Sequence, residues 1–112
     1  MSVPVSLPTI RAPRESERER VAEVLATSLN FPRDAAISRS HLYPMNDMRC
    51  AVVRDEIVAT AGEFRFDQWF GGEALVCSAV WGVATLPEHR GAGMASAATQ
   101  AVLRAAQDRG AW

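Results

Sequence analysis

The spacing of apolar residues divides the chain into helical and extended segments. In residues 21–29, apolar side chains recur at intervals of three and four and charged side chains lie on the opposite face, which predicts an amphipathic helix. Ser16 and Glu19 have the spacing of a capping box before this helix. Phe31 is expected to end it, because the residue before a proline is disfavoured in the helical region. Residues 34–42 are predicted to form a second, short helix.

Runs rich in β-branched and aromatic residues predict strands. The first strand is expected within residues 5–12. Residues 49–54 and 57–66 are predicted to form an antiparallel hairpin. Because side chains alternate between the two faces of a strand, Glu63 is expected on the face opposite to Phe64.

A long apolar strand is predicted over residues 74–86, after a turn at Gly71 and Gly72. Gly82 interrupts this strand and favours a bulge or bend. Small and apolar residues then recur at helical spacing up to Gly110, which can end a helix. The buried stripe of this helix is predicted to consist of Met94, Ala97, Ala98, Ala101, Val102 and Ala105.

The junction between the last strand and the last helix has the composition of an anion site. Pro87 breaks the apolar run, and Gly91 and Gly93 follow shortly before the helix. The first N–H groups of a helix lack partners within the helix and lie at the positive end of its dipole, so they favour a phosphate. The alternative is a structural turn in which the glycines only satisfy φ. A generic nucleotide site fits less well, since there is no Gly-Lys-Ser/Thr and no full Gly-x-Gly-x-x-Gly.

The residues Arg90-x-x-Gly93-x-Ala95 resemble the Arg/Gln-x-x-Gly-x-Gly/Ala signature of the GNAT superfamily of N-acetyltransferases. The longer string Gly-Val-Ala-Thr-Leu-Pro-Glu-His-Arg-Gly-x-Gly is most similar to the enhanced-intracellular-survival type of amine acetyltransferase. The resemblance implies an α/β fold, layered in the α+β manner, with a mixed sheet and flanking helices. Residues 1–112 would form the N-terminal part of a single domain of this acyl-CoA N-acyltransferase fold. The fifth strand would begin where the chain stops, at Trp112.

The resemblance also implies a reaction, the transfer of an acetyl group from acetyl-CoA to a primary amine of a small molecule or peptide, with no metal. The pantetheine arm would pair with the edge of the fourth strand, and the diphosphate would meet the following turn. The implied cofactor-binding residues are Val83, Ala84, Thr85, Arg90, Gly91, Ala92, Gly93, Met94, Ala95 and Ser96. The alternative is a catalytically incomplete domain or fragment that acts as a CoA-binding or protein-interaction module.

No catalytic residue is assigned from the sequence. In the enhanced-intracellular-survival type, the acid is a tyrosine beyond the fifth strand and the base is the C-terminal carboxylate, and the matching positions lie past Trp112. Several other groups can serve as acid, base or pocket wall, each against a packing or solvent-exposed alternative. They are Tyr43, for which a packing or substrate-wall role is preferred, the candidate bases His41, Glu63 and Glu73, and the candidate wall residues Trp69 and Phe70. By default, His41 is expected to be a surface or core histidine, Glu63 and Glu73 to be solvated residues of a strand face, and Trp69 and Phe70 to pack onto the core. His89 is expected to support its turn or to contact solvent, with contact to the cofactor as the alternative.

Composition and net charge limit the partners and the cellular location that we expect for this chain. The formal net charge of −1 predicts no electrostatic attraction to nucleic acid or to a membrane surface. No stretch resembles a signal peptide or a membrane span. Cys50 and Cys77 are expected to be buried thiols of a cytoplasmic protein. A homo-oligomer is a possible state of the chain, because an uncovered edge of the fourth strand can pair with another chain.

Overall fold

Four antiparallel strands form one sheet in the computed structural model, which describes residues 7–110. The strands follow one another in space in chain order: β1 is Thr9–Arg11, β2 is Met48–Val53, β3 is Glu56–Phe70 and β4 is Glu73–Thr85. This arrangement confirms the predicted fold class, and the described strands are all antiparallel. Part of the first predicted strand lies in residues 1–6, outside the described residues.

Within residues 7–110, three α-helices accompany the sheet: α1 is Arg18–Leu29, α2 is Arg33–Arg39 and α3 is Met94–Asp108. The predicted capping box at Ser16 is wrong, because a 3₁₀ turn at Glu15–Glu17 precedes α1. The Glu17 carboxylate instead accepts a hydrogen bond of 2.8 Å from the Arg14 N–H. The second helix is shorter than predicted, since its last turn is the 3₁₀ turn Ser40–Leu42.

The helices lie on both faces of the sheet. Consecutive strand residues point to opposite faces, so Ala61 and Gly62 mark the two sides of β3. Ala61 packs against Ala98 and Val102 of α3. Trp81, which stands opposite Gly62 in the register, packs instead with the core that contains α1. The predicted stripe of α3 is confirmed, with Met94, Ala98 and Val102 buried and Ala97, Ala101 and Ala105 half-buried.

A β-bulge interrupts β4 near its end. In the register, Thr60 faces Ala84 and Gly62 faces Trp81, so one residue of β3 opposes two residues of β4. Gly82 lies in this bulge with a φ of +61°, a value that L side chains rarely adopt. The Thr60 hydroxyl donates to the Gly82 carbonyl oxygen at 2.8 Å. The bulge predicted at Gly82 is therefore confirmed.

The outer half of the β3–β4 hairpin is solvent-exposed. Pairing continues past the predicted end of β3 to Phe70, which faces Glu73. The turn at Gly71 and Gly72 is confirmed, with positive φ at both residues. Trp69 and Phe70 are 71% and 56% exposed, so the expectation that they pack on the core is wrong.

The two cysteines have different surroundings. Cys50 is buried, and burial raises the pKa of its thiol to about 11. Cys77 is only half-buried on the hairpin, which corrects the prediction that both thiols are buried. Both are free thiols, without a disulfide.

Candidate functional site

The N-terminus of α3 begins with unpaired backbone N–H groups. The first hydrogen bond of the helix joins the Ala97 N–H to the Gly93 carbonyl oxygen at 3.0 Å. The N–H groups of residues 91–96 donate to no other group in the part of the chain that the structure describes. Gly91 and Gly93 have φ values of +87° and +75°, so the turn uses the left-handed conformation that glycine favours.

Among the described residues, no anionic side chain occupies this helix start. Gly93 is the N-cap residue and has no side chain to bond the free N–H groups, and the first turn of α3 contains no acidic residue. Many helices place Ser, Thr, Asp or Asn at this position for that purpose. A Cβ built on Gly91 or Gly93 meets no atom within 4 Å, so a ligand can approach both residues. The arrangement therefore suits an external anion such as a diphosphate.

The Arg90 side chain bridges two elements beside these amides. Its Nε lies 3.4 Å from the Thr85 carbonyl oxygen, at the end of β4. Its Nη2 lies 3.2 Å from the Ser28 carbonyl oxygen, in the last turn of α1. The positive charge is favourable there, because the C-terminus of a helix carries partial negative charge. Arg90 thus holds the turn against α1.

The end of β4 has a free edge. β3 pairs with one side of β4, and no strand among residues 7–110 pairs with the other side. Val83 lies in the bulge and is 42% exposed, whereas Ala84 is buried. Thr85 follows as the last residue of β4. An extended ligand can therefore add to this edge through main-chain hydrogen bonds.

A cavity of about 640 Å³ lies at the bulge, on the face of the sheet that carries α1 and α2. Trp81 and Gly82 contribute the β4 side of its lining. The Trp81 ring stacks on Phe64, with centroids 4.9 Å apart, and tilts against Tyr43 at 5.4 Å. A Cβ on Gly62 would lie 2.7 Å from Trp81 Nε1, so Trp81 can occupy this position only beside a glycine.

Tyr43 packs against another aromatic ring and forms part of the cavity wall, which is the role preferred for it from the sequence. It contacts Trp81 and lines the cavity. Its hydroxyl donates to the Ala36 carbonyl oxygen at 3.4 Å. Burial raises the pKa of the hydroxyl, and the nearby positive charge of Arg39 opposes this effect. Tyr43 is therefore protonated at neutral pH.

Glu63 is engaged in a buried ion pair. Its side chain is 1% exposed, which contradicts the alternative of a solvated strand face. Arg109, just after α3, and Ser78 of β4 donate to its carboxylate, and Arg65 Nε lies 3.8 Å away. Glu63 neighbours Gly62 in β3 and so points away from the face that carries Trp81. It links the end of α3 to the sheet.

The remaining candidate groups lie away from the cavity. Glu73 is exposed at the hairpin end, as its solvent-exposed alternative predicts. His41 is exposed, with Nδ1 2.9 Å from the Ser38 carbonyl oxygen. His89 is half-buried in the 3₁₀ turn after β4. Trp69 and Phe70 do not line the cavity.

Trp81 and Arg39 line the cavity, although neither was predicted from the sequence to do so. Trp81 was recognisable as the aromatic residue before the bulge glycine, whereas nothing in the sequence of α2 distinguishes Arg39.

Within residues 7–110, no cluster of three or more His, Cys, Asp or Glu side chains has a metal-binding arrangement. No helix in the same range has both the length and the hydropathy needed to cross a membrane.

The structure resembles solved acetyltransferases. A GCN5-related N-acetyltransferase from Kribbella flavida matches with a TM-score of 0.77 and 26% identity, covering 95% of this chain and 28% of that chain. A GCN5-related N-acetyltransferase from Anabaena variabilis matches with a TM-score of 0.81 and 16% identity, covering 91% and 26%. Eis1 from Mycobacterium abscessus matches with a TM-score of 0.79 and 22% identity, covering 94% and 26%. The chain thus spans about a quarter of the length of these proteins.

The family comparison covers most of the chain. No match was found among curated protein sequences. The model of the acetyltransferase (GNAT) domain family matches residues 9–112, which include the sheet, the free amides and α3. The chain therefore belongs to the GNAT acetyltransferase family.

Proposed function

We propose that this chain supports N-acetyl transfer from acetyl-CoA to a primary amine of a small molecule or peptide. The observation that carries the proposal is the row of free N–H groups at residues 91–96, directly after a bulged edge strand, in a chain of the GNAT family. These N–H groups would bind the diphosphate, and the edge at Val83, Ala84 and Thr85 would bind the pantetheine arm. Met94, Ala95 and Ser96 would contribute through their backbones.

The reaction needs a neutral amine beside the thioester. The amine nitrogen attacks the carbonyl carbon and loses a proton, a C–N bond forms, the C–S bond breaks, and the thiolate leaves and takes up one proton, so that the products are the amide and CoA thiol. The bulge lies between the cavity and the free edge of β4, so this chain can hold an amine in the cavity next to an acyl group on the edge. A backbone N–H at this edge would stabilise the developing negative charge on oxygen. No acid or base is assigned to a side chain.

The proposed subtype is the enhanced-intracellular-survival type. Its support is the string over residues 82–93, and the likeness to Eis1 agrees with it at the level of the fold. In the same proposal, residues 1–112 belong to one acetyltransferase domain. The free thiols of Cys50 and Cys77 support a cytoplasmic setting.

The second candidate is a module that binds CoA without turnover. Its support is that, among the candidate acid and base side chains within residues 7–110, Tyr43 alone lines the cavity. The cavity therefore offers few groups for proton transfer. An assay of the 112-residue chain with acetyl-CoA and a panel of amines separates the two candidates. Release of CoA that depends on the amine would exclude the module.

A homo-oligomer is also proposed. Its support is a run of exposed aromatic side chains on one face of the hairpin, at Phe64, Phe66 and Phe70. Sedimentation velocity over a range of concentrations tests it. A single monomeric species at the highest concentration would contradict it.

Calorimetry with two ligands tests the proposed function. Acetyl-CoA should bind, and acetyl-pantetheine, which lacks the diphosphate, should bind at least about tenfold more weakly, because it forms no charge-assisted bonds with the α3 amides. Absence of binding by acetyl-CoA, or equal affinity for the two ligands, would overturn the proposal.

A further inference from the structure

We infer that the cavity at the β4 bulge selects an acceptor with an apolar body and a negatively charged group, which Arg39 recognises. This inference rests on the proposed function, since it names the class of amine that the same site would take. It follows from the shape, the lining and the charge of the cavity.

The walls of the cavity are apolar. Leu25 and Leu29 of α1 form one part of the lining, Ala35 and Ala36 of α2 form another, and Trp81 closes the β4 side. Burying a ring or alkyl chain of an acceptor against these walls would remove apolar surface from water, which is favourable. The body of the acceptor is therefore apolar.

Arg39 carries the charge of the cavity. It is the only charged residue in the lining, and no carboxylate of the described residues joins it there. Arg39 also forms no ion pair or hydrogen bond with another group among residues 7–110. By contrast Arg33, at the start of α2, pairs with Glu23 at 2.8 Å and lies outside the lining. An acceptor carboxylate or phosphate can therefore pair with Arg39 without displacing an internal partner.

The opposite class of acceptor is disfavoured. A polycationic amine needs carboxylates around it, and this lining supplies a guanidinium instead. The positions of the walls also orient the acceptor. Its amine would lie at Gly82, next to the free edge of β4, and its anionic group would lie at the α2 wall.

Three probes with one ring body test the inference. They are 4-(2-aminoethyl)benzoate, 2-(4-methylphenyl)ethylamine and 4-(2-aminoethyl)benzylamine, which place an anionic, a neutral or a cationic group opposite the same amine. Their affinities for the 112-residue chain are measured by NMR from the Trp81 indole N–H and the Gly82 amide. The benzoate should bind about fivefold more tightly than the methyl compound, and the dication should bind most weakly.

Two variants assign this preference to Arg39. In Arg39→Ala, the affinity for the benzoate should fall to about that for the methyl compound, so that the ratio of the two affinities is about one. In Arg33→Ala, a matched control on the same helix, this ratio of affinities should be unchanged. The inference is overturned if the methyl compound binds as tightly as the benzoate, if Arg39→Ala keeps the ratio, or if no probe shifts the two signals at millimolar concentration. Acetyl-CoA calorimetry on the same samples separates the failures, because CoA binding without the probe preference overturns this inference alone, whereas loss of CoA binding overturns the proposed function.

Discussion

Arg90 and Ser28 are 62 positions apart in the sequence, and the guanidinium of Arg90 donates to the Ser28 carbonyl oxygen at 3.2 Å. The same side chain also reaches the Thr85 carbonyl oxygen. One residue of the family signature therefore connects the end of α1, the end of β4 and the turn that carries the free amides. Its role in this structure is to position the turn.

Replacing Arg90 by alanine should lower the affinity for acetyl-CoA by about threefold to tenfold, because the turn loses two hydrogen bonds that fix it. Calorimetry at low and high salt measures the effect. Arg104→Ala, which removes the same charge from the exposed surface of α3, should leave the affinity unchanged. A loss in Arg90→Ala that vanishes at high salt would contradict a positioning role and would indicate a direct charge effect on the ligand.

Replacing Gly93 by alanine should lower the affinity for acetyl-CoA about tenfold or more, since a Cβ would stand where the diphosphate approaches the backbone. Its cost in folding free energy should be only about 1 kcal/mol, because the left-handed φ of +75° is strained for alanine while the surrounding space is open.

Gly110→Ala is the matched control for this variant. Gly110 has a φ of +78° and open space around its Cβ position, but it follows the opposite end of α3. Its stability cost should match that of Gly93→Ala, and acetyl-CoA should bind as to the original chain. Equal affinities for all three proteins would argue against contact at Gly93.

Replacing Arg109 by alanine should lower the free energy of unfolding by about 2 kcal/mol, because the buried Glu63 carboxylate loses a charged partner. Chemical denaturation measures this change. Arg104→Ala, on the same helix and without an ion pair among the described residues, should change stability by less than about 0.5 kcal/mol. Similar small changes in both variants would show that the ion pair adds no stability.

The Arg11 side chain donates to Glu17 and lowers the pKa of that carboxyl from its usual 4.5 to about 2. Because the folded pKa is depressed, this pair stabilises the folded chain above pH 4.5, and its contribution is lost as the pH falls toward 2. After allowance for solvent screening, the contribution at neutral pH is about 2 kcal/mol.

Glu17→Gln should therefore be about 2 kcal/mol less stable than the original chain at pH 7 and equally stable near pH 2. Denaturant unfolding at several pH values measures the difference. Glu19→Gln, at an exposed position of α1 and without an ion pair among the described residues, should change stability at pH 7 by less than about 0.5 kcal/mol. A difference for Glu17→Gln that does not change with pH would contradict the pairing.

Local pattern predicted the elements that depend on neighbours in sequence. The periodicity of Val21 to Leu29 and of Met94 to Ala105 identified α1 and α3, and the glycine at position 82 identified the bulge. These features follow from side-chain periodicity and from backbone φ, which short segments determine. The free amides were predicted for the same reason, since a helix start without a capping side chain is visible in the sequence.

Long-range packing was not predictable in this way. Glu63 was expected to be solvated, yet Arg109, 46 positions away, covers it once α3 lies on the sheet. Trp69 was expected to pack on the core, yet the hairpin carries it away from α1 and α3. Both outcomes depend on where whole elements dock, and hydrophobic pattern alone does not fix that.

Chemical-shift mapping of the backbone amides tests most directly whether the start of α3 binds the diphosphate of acetyl-CoA. On titration with acetyl-CoA, the amides of Gly91, Gly93 and Ser96 should shift together with the occupancy of the ligand, while the Gly110 amide should stay unchanged. Saturable binding that leaves those three amides unshifted, or that shifts a different surface, would contradict the assignment of the cofactor site.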